Sequence, residues 1–314
     1  MSSPNEAPLA VMLMGPTCSG KTDLAVKLVQ AFPFEIVSVD SAMVYRGMDI
    51  GTAKPDAATL ARAPHRLIDI CDPADTYSAA RFRLDALREM QSIQAAGRIP
   101  LLVGGTGLYF RALERGLAEL PAADPAVRAR LNAEADRLGW PAMHRRLAAI
   151  DPESAARLHP NDSQRLQRAL EVFELSNVSL SDWLARKTEL ALPYRVIKTI
   201  LAPRDRELLY VRVEQRFLQM LTAGLVEEAR ALFKRPELSP DLASVRMVGY
   251  CEVWRFLKGQ IDHAEMVRQA VQSTRRLAKR QLTWFRAEQQ ARYFDAAHPE
   301  LFTQVVEHLK TSGL

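Results

Sequence analysis

Apolar residues fall into short unbroken runs separated by longer amphipathic stretches, the alternation expected of buried parallel strands covered by helices. Leu9 to Met14 reads as a first strand, Phe34 to Asp40 as a second that ends in a carboxylate, and Pro100 to Val103 as a third. Between them Leu24, Ala25, Leu28 and Val29 recur at helical spacing. Tyr77 to Ala96 is expected to be helical, with Phe82, Leu84, Leu87, Met90 and Ile93 inward. Ser41 to Lys54 is polar and too long for a simple turn, and Pro64-His65 leads into a brief apolar piece, Leu67 to Ile70. Further on, Arg195 to Leu201 reads as a strand and Arg292 to Phe294 as an edge strand. Long helices are expected from Asp205 to about Phe233 and from Asp262 to about Gln289.

The texture changes near Gly116. From Pro121 to about Ala191 the chain is rich in Ala, Arg and Leu and shows helix starts but no strand, with Asp124, Asp151 and Asn161 as expected N-caps. The pattern predicts an α/β fold: a phosphate-loop core with a parallel sheet flanked by helices, plus an inserted all-helical lobe. The expected division is 1–118 with 192–314 for the core, and 119–191 for the lobe.

Composition narrows this only a little. The chain has 314 residues, 48% hydrophobic and 25% charged, as in an ordinary globular protein. A net charge of +5, from 42 basic and 37 acidic residues, excludes a nucleic-acid-coating protein, so any polyanion contact must be local. Three cysteines without metal spacing, no signal-peptide pattern in residues 1–10 and no apolar run near the ~18 residues of a membrane span predict a cytoplasmic protein with no membrane partner.

The first strand runs into Gly15-Pro16-Thr17-Cys18-Ser19-Gly20-Lys21-Thr22, the pattern G-x-x-x-x-G-K-[ST] in its strand-to-helix setting. Gly15 and Gly20 let successive amides face one anion, and the helix N-terminus adds positive potential. Lys21 brings a charge to the terminal phosphate, and the Thr22 hydroxyl is the expected ligand of Mg²⁺.

Asp40 stands where the second strand meets a loop, so it is expected to face the ligand as a general base or an outer partner of the metal; a turn-capping aspartate is the plainer reading. Gly104-Gly105-Thr106-Gly107 follows the third strand, where glycines permit close approach to a ligand or simply a tight turn. No carboxylate follows that third strand and no Asn-Lys-x-Asp occurs, which argues against mechanical ATPases and GTPase switches. From Arg268 to Arg286 there is no acidic residue. At 100° per residue Arg275, Arg276, Lys279, Arg280 and Arg286 share one arc, opposite Leu277, Ala278, Leu282, Trp284 and Phe285. With Gln272 and Gln281 nearby, that face is expected to meet a polyanion, against the plainer reading of a solvated helix. Gln164 to Arg168 forms a second basic patch, and one of Arg204, Arg206, Arg212 and Arg216 can close over a leaving diphosphate.

Taken in order, these segments resemble the bacterial tRNA dimethylallyltransferase family. The resemblance rests on the phosphate loop, Ser38 to Ser41, Tyr45 to Pro55, Pro64 to Leu67, Gly104 to Tyr109, Asn161 to Arg165, Arg246 to Tyr250 and Thr274 to Arg286. It is collinear from about residue 9 to residue 286, and the segments 45–55 and 274–286 are the most specific to the family.

The resemblance implies transfer of a dimethylallyl group from its diphosphate to N6 of the adenosine just 3′ of the anticodon, position 37, in tRNAs that read codons beginning with U. It implies Mg²⁺ as cofactor, dimethylallyl diphosphate and the tRNA anticodon stem-loop as partners, and action as a monomer. Asp40, Thr17, Lys21 and Thr22 would be catalytic, with the phosphate loop, Arg212 and Arg216 on the diphosphate. Contacts to tRNA would fall on Asp40, Ser41, Ala42, Met43, Thr106, Arg128, Gln164, Arg165, Leu166, Gln167 and Arg168. They would continue on Arg246, Met247, Val248, Gly249, Tyr250 and Cys251, and on Arg275, Arg276, Lys279 and Arg280, so that core and lobe clamp the anticodon arm. Two positions depart from the family pattern: Cys18 replaces an alanine, and Cys251 stands where many relatives carry arginine. The competing readings are a small-molecule kinase, an isopentenyltransferase acting on a free adenine nucleotide, and a plain RNA-binding module.

Overall fold

Six strands form one parallel sheet: β1 (Leu9–Met14), β2 (Phe34–Val39), β3 (His65–Arg66), β4 (Ile99–Gly104), β5 (Arg195–Ala202) and β6 (Ala291–Asp295), in the order β3-β2-β4-β1-β5-β6. The computed structural model describes residues 7–186 and 191–314. β1 is flanked on both edges and covered on both faces, so nearly all of it is apolar. Alternate residues serve opposite cores: Ala10, Met12 and Met14 pack on one side and Val11 and Leu13 on the other. The register brings three strands to a common end. Met14 lies beside Gly104, and Gly104 beside Val39. Gly15, Gly105 and Asp40 therefore leave the sheet at one carboxyl edge, where open α/β sheets bind ligands.

The chain divides into two compact units, one of Met1–Glu114 with Leu192–Leu314 and the other of Arg115–Ala191. In the first unit α1 (Lys21–Ala31) follows the phosphate loop, and α2 (Ala57–Arg62) and α3 (Ala79–Ala95) precede β4. Phe82, Met90 and Ile93 of α3 are buried as expected, but Leu84 is 67% exposed and Ala86 fills the inward position instead. The apolar piece 67–70 is not a strand. β3 ends at Arg66, and Leu67 and Asp69 take left-handed backbone that no strand accommodates. α4 (Gly107–Arg115) follows the turn after β4.

The second unit is helical: α5 (Pro125–Leu138), α6 (Trp140–Ile150), α7 (Pro152–Arg157), α8 (Ser163–Ser176) and α9 (Leu180–Ala185). Its own core joins Leu131, Met143, Leu147, Leu166 and Leu170. Asp124 and Asp151 cap α5 and α7, but the cap of α8 is Asp162 rather than Asn161: its carboxylate accepts the Arg165 N–H.

Back in the first unit, α10 (Arg206–Thr222) and α11 (Leu225–Phe233) replace the single helix expected over 205–233. Gly224 lies between them at φ +100°, a conformation that ends α10 and turns the chain. α12 (Tyr250–Leu257), α13 (His263–Arg286) and α14 (Leu301–Thr311) complete the chain. No described helix is long and apolar enough to cross a membrane.

Candidate active site

A cleft of about 740 Å³ opens at the carboxyl edge of the sheet in the first unit, lined by the phosphate loop, Asp40, the turn after β4, α10, Gln281 and residues 296–302. Within the loop, Gly20 is the N-cap of α1 with left-handed backbone, so the first free amides of the helix face the cleft. Cys18 also holds left-handed backbone, at φ +62°, in a place where a side chain is tolerated at a small steric cost. The Ser19 hydroxyl is buried with no hydrogen-bond partner, a donor left over for an oxyanion. Lys21 donates Nζ to the Pro16 carbonyl oxygen at 2.6 Å. Burial lowers its pKa to about 8, a shift opposed by Asp40 and reinforced by Arg216.

Arg216 on α10 reaches the loop, 3.4 Å from Thr17 Oγ1 and 3.7 Å from Cys18 Sγ. Arg212, Gln215 and Gln219 line the cleft from the same face of α10, one or two helical turns apart. Of the four arginines considered, Arg212 and Arg216 thus border the cleft, whereas Arg204 and Arg206 are exposed and do not line it.

Asp40 lines the cleft; its Oδ1 accepts the amides of Ala42 and Met43, at 2.8 and 3.4 Å, which orients the carboxylate, and Oδ2 takes neither bond. The turn-capping and cleft-facing readings hold together. Ser41 N–H donates to Thr106 Oγ1 at 3.1 Å, tying the loop after β2 to the turn after β4. The segment after Asp40 is pinned twice more. The buried Lys54 ammonium donates to the Tyr45 oxygen, Asp49 and Asp69. Glu228 of α11 accepts the amides of Asp49, Ile50 and Gly51. Thr52, Ala53 and Pro55 then line the cleft, as does His65, whose pKa is lowered by burial and whose Nδ1 lies 2.7 Å from the Ala63 oxygen.

The expected RNA-facing residues divide. Arg276, Lys279 and Arg280 of α13 are exposed, but Arg275 pairs with Glu214 at 2.8 Å and sits over the Tyr210 ring. Trp284 is 41% exposed rather than inward, because its indole lies against Gly107 instead of entering the core. Tyr250 is buried and donates to Glu228 at 2.6 Å, and Gly249 is buried beside it, so neither offers a side chain to a partner. Arg246 is exposed, and Met247, Val248 and Cys251 are half-buried.

In the second unit the Leu166 side chain belongs to the core, so it is not presented to a partner. Arg128 and Arg168 both grip the buried Glu171, Arg128 through two bonds of 2.9 and 3.2 Å. Gln167 bonds Asn132, and Gln164 and Arg165 are exposed.

Sequence reasoning assigned Gln281 to the polyanion face of α13. Its amide instead reaches the phosphate loop, accepting Thr17 N–H at 2.8 Å. Gln215, Gln219 and His298 also line the cleft, and no local motif in the sequence marks them. Among the described residues no group of three or more His, Cys, Asp or Glu side chains is placed to hold a metal ion.

Comparison with known proteins follows the same outline. A family model described as IPP transferase matches residues 43–288, and one described as Isopentenyl transferase matches residues 9–69. The fold is similar to the full-length tRNA isopentenylpyrophosphate transferase of Bacillus halodurans, with 36% identity, 98% of this chain and 96% of that one covered, and a TM-score of 0.71. It is similar also to the tRNA delta(2)-isopentenylpyrophosphate transferase of Staphylococcus epidermidis, at 30% identity, 98% and 100% coverage and a TM-score of 0.69. A eukaryotic dimethylallyltransferase acting on tRNA shares the fold at 22% identity and a TM-score of 0.77, over 96% of this chain and 77% of that one.

Proposed function

Because the chain belongs to the IPP transferase family, we infer that it is an enzyme that transfers a dimethylallyl group from dimethylallyl diphosphate to tRNA. The finer reading is that the acceptor is N6 of the adenosine at position 37, 3′ of the anticodon, in tRNAs reading codons that begin with U. The observation that supports the transfer chemistry is the meeting of a diphosphate cradle and an oriented carboxylate in one cleft; the acceptor position follows from the family resemblance.

The loop amides, Lys21 and Arg216 neutralise the diphosphate, which lets the allylic C1–O bond lengthen with charge building on the leaving oxygens. The N6 lone pair forms the new bond to C1 as the C1–O pair departs with diphosphate. N6 is a weak nucleophile, so its proton must leave as the bond forms, and Asp40 Oδ2 is the acceptor this reading assigns. A base stacked in an anticodon loop cannot reach the floor of the cleft, so the adenosine is flipped out to enter it. Thr22 lines the cleft at the first turn of α1, where its hydroxyl would hold Mg²⁺ beside the diphosphate. Bound there, the ion would add to the neutralisation of the leaving group. The exposed cations of α13 support an RNA partner, and the tRNA substrate supports a cytoplasmic location.

The acceptor position is tested by incubating the protein with Mg²⁺, labelled dimethylallyl diphosphate and either an unmodified tRNA or the same tRNA with guanosine at position 37. Label should enter only the first. Equal incorporation into both would remove the assignment to position 37.

A further inference from the structure

Gln281 uses both ends of its side-chain amide on two separate backbone segments. Oε1 accepts the Thr17 N–H at 2.8 Å, and Nε2 donates to the Gly105 carbonyl oxygen at 3.0 Å. The approach is close: a Cβ on Gly105 would stand 2.5 Å from Gln281 Nε2 and 3.2 Å from the Gly15 oxygen. One turn further along α13 the Trp284 indole lies against Gly107, where a Cβ would come within 2.8 Å of the ring. The turn after β4 is thus held to α13 at two successive points, and the first of them also holds the phosphate loop. Between those points lies Thr106, which receives the Ser41 N–H beside Asp40.

The helix that makes these bonds also carries the exposed cations. Lys279 and Arg280 immediately precede Gln281, and Arg276 lies one turn earlier; all three face solvent. Leu282, next in line, is buried with Leu209 and Ala278, so the helix is seated in the core at the level of the amide. A displacement of α13 would therefore either carry the Thr17 amide and the Gly105 carbonyl with it or break one of the two bonds.

We propose that Gln281 is a positioning residue that couples occupancy of α13 by acceptor RNA to the diphosphate cradle. The proposal rests on the function inferred above. RNA phosphates on Arg276, Lys279 and Arg280 fix the helix, and Gln281 holds the Thr17 amide and the Gly105 turn in the arrangement that receives diphosphate. Linkage makes the effect mutual: each ligand tightens the other by the same factor.

The test separates binding from turnover. Inorganic diphosphate with Mg²⁺ is titrated calorimetrically into the full chain, with and without saturating unmodified tRNA. In the unaltered protein tRNA tightens diphosphate binding by about five- to tenfold. Gln281→Met keeps the length and apolar stem of the side chain and loses both hydrogen bonds. Its coupling factor falls to near one, while tRNA affinity measured without diphosphate stays within about twofold. Gly105→Ala, whose added carbon displaces the amide, gives the same loss and carries the test if the first variant fails to fold. Absence of coupling in the unaltered protein, or undiminished coupling in a folded variant, overturns the proposal. Failure of the underlying function looks different: the unaltered protein would then leave no dimethylallyl group on tRNA.

Discussion

Lys21 folds its ammonium back onto the carbonyl oxygen of Pro16, five residues earlier in its own loop, at 2.6 Å. The amine is buried, and burial holds its pKa at about 8, well under the ordinary lysine range. A diphosphate in the cleft adds anionic charge to that of Asp40 and raises the pKa of the amine. Below pH 8 the lysine is protonated in free and bound protein alike, so it contributes no pH dependence. Above pH 8 binding must take up a proton, and affinity falls by up to about tenfold per pH unit until the bound-state pKa is reached. Calorimetry near pH 9 in two buffers of different ionisation heat, with a non-reactive thiolo analogue of dimethylallyl diphosphate, should show uptake approaching one proton. No uptake would refute the assignment.

Asp40 does two jobs that one substitution can separate. Asp40→Asn retains an oxygen for the Ala42 and Met43 amides but cannot take the N6 proton. Single-turnover rates should drop about 10²–10⁴-fold with little change in tRNA affinity or melting temperature. Unchanged rates would remove Asp40 as the base.

Glu228 joins α11 to the segment that borders the cleft, accepting three backbone amides and the Tyr250 hydroxyl. Glu228→Ala strands those donors and should cost about 3 kcal/mol, read as a drop in denaturation midpoint. Tyr250→Phe removes one donor and should cost about 1 kcal/mol. Comparable losses for the two would contradict the bond count.

Arg128 and Arg168 were expected on tRNA, and their grip on Glu171 gives a different result from a simple contact. Burial alone would push the Glu171 carboxyl up, but its bonds to Arg128, Arg168 and the Asp124 amide carry its pKa below the usual range. Stability from this group is therefore present above the ordinary glutamate pKa and lost as pH falls through the lowered one. Arg128→Ala should destabilise the second unit by about 1–3 kcal/mol even without RNA, with the deficit shrinking as Glu171 is protonated in acid. A variant with normal melting and weakened tRNA binding would show Arg128 to be a contact after all.

Short-range chemistry was legible in the sequence, and long-range contacts were not. The phosphate loop announces itself because its glycines, Lys21 and Thr22 act within eight residues of one another. Strand β1 and the edge position of β6 follow from burial and length. Gln281 was visible only as a polar residue on a cationic helix, since its partners Thr17 and Gly105 lie 264 and 176 residues away in sequence. Tyr250 and Leu166 sit in segments of the resembled family that face RNA, yet their own side chains point into cores, a distinction that only packing makes. The break at Gly224 is hidden in the sequence because apolar spacing continues on both sides of it.

The central claim is the transfer itself. The protein is incubated with Mg²⁺ and dimethylallyl diphosphate in the presence of unmodified tRNA or of AMP, and the nucleosides are resolved by mass spectrometry. The account predicts a dimethylallyl adduct on adenosine from tRNA and none on AMP. An adduct on AMP, or no adduct in either reaction while a parallel sample consumes ATP, would contradict it.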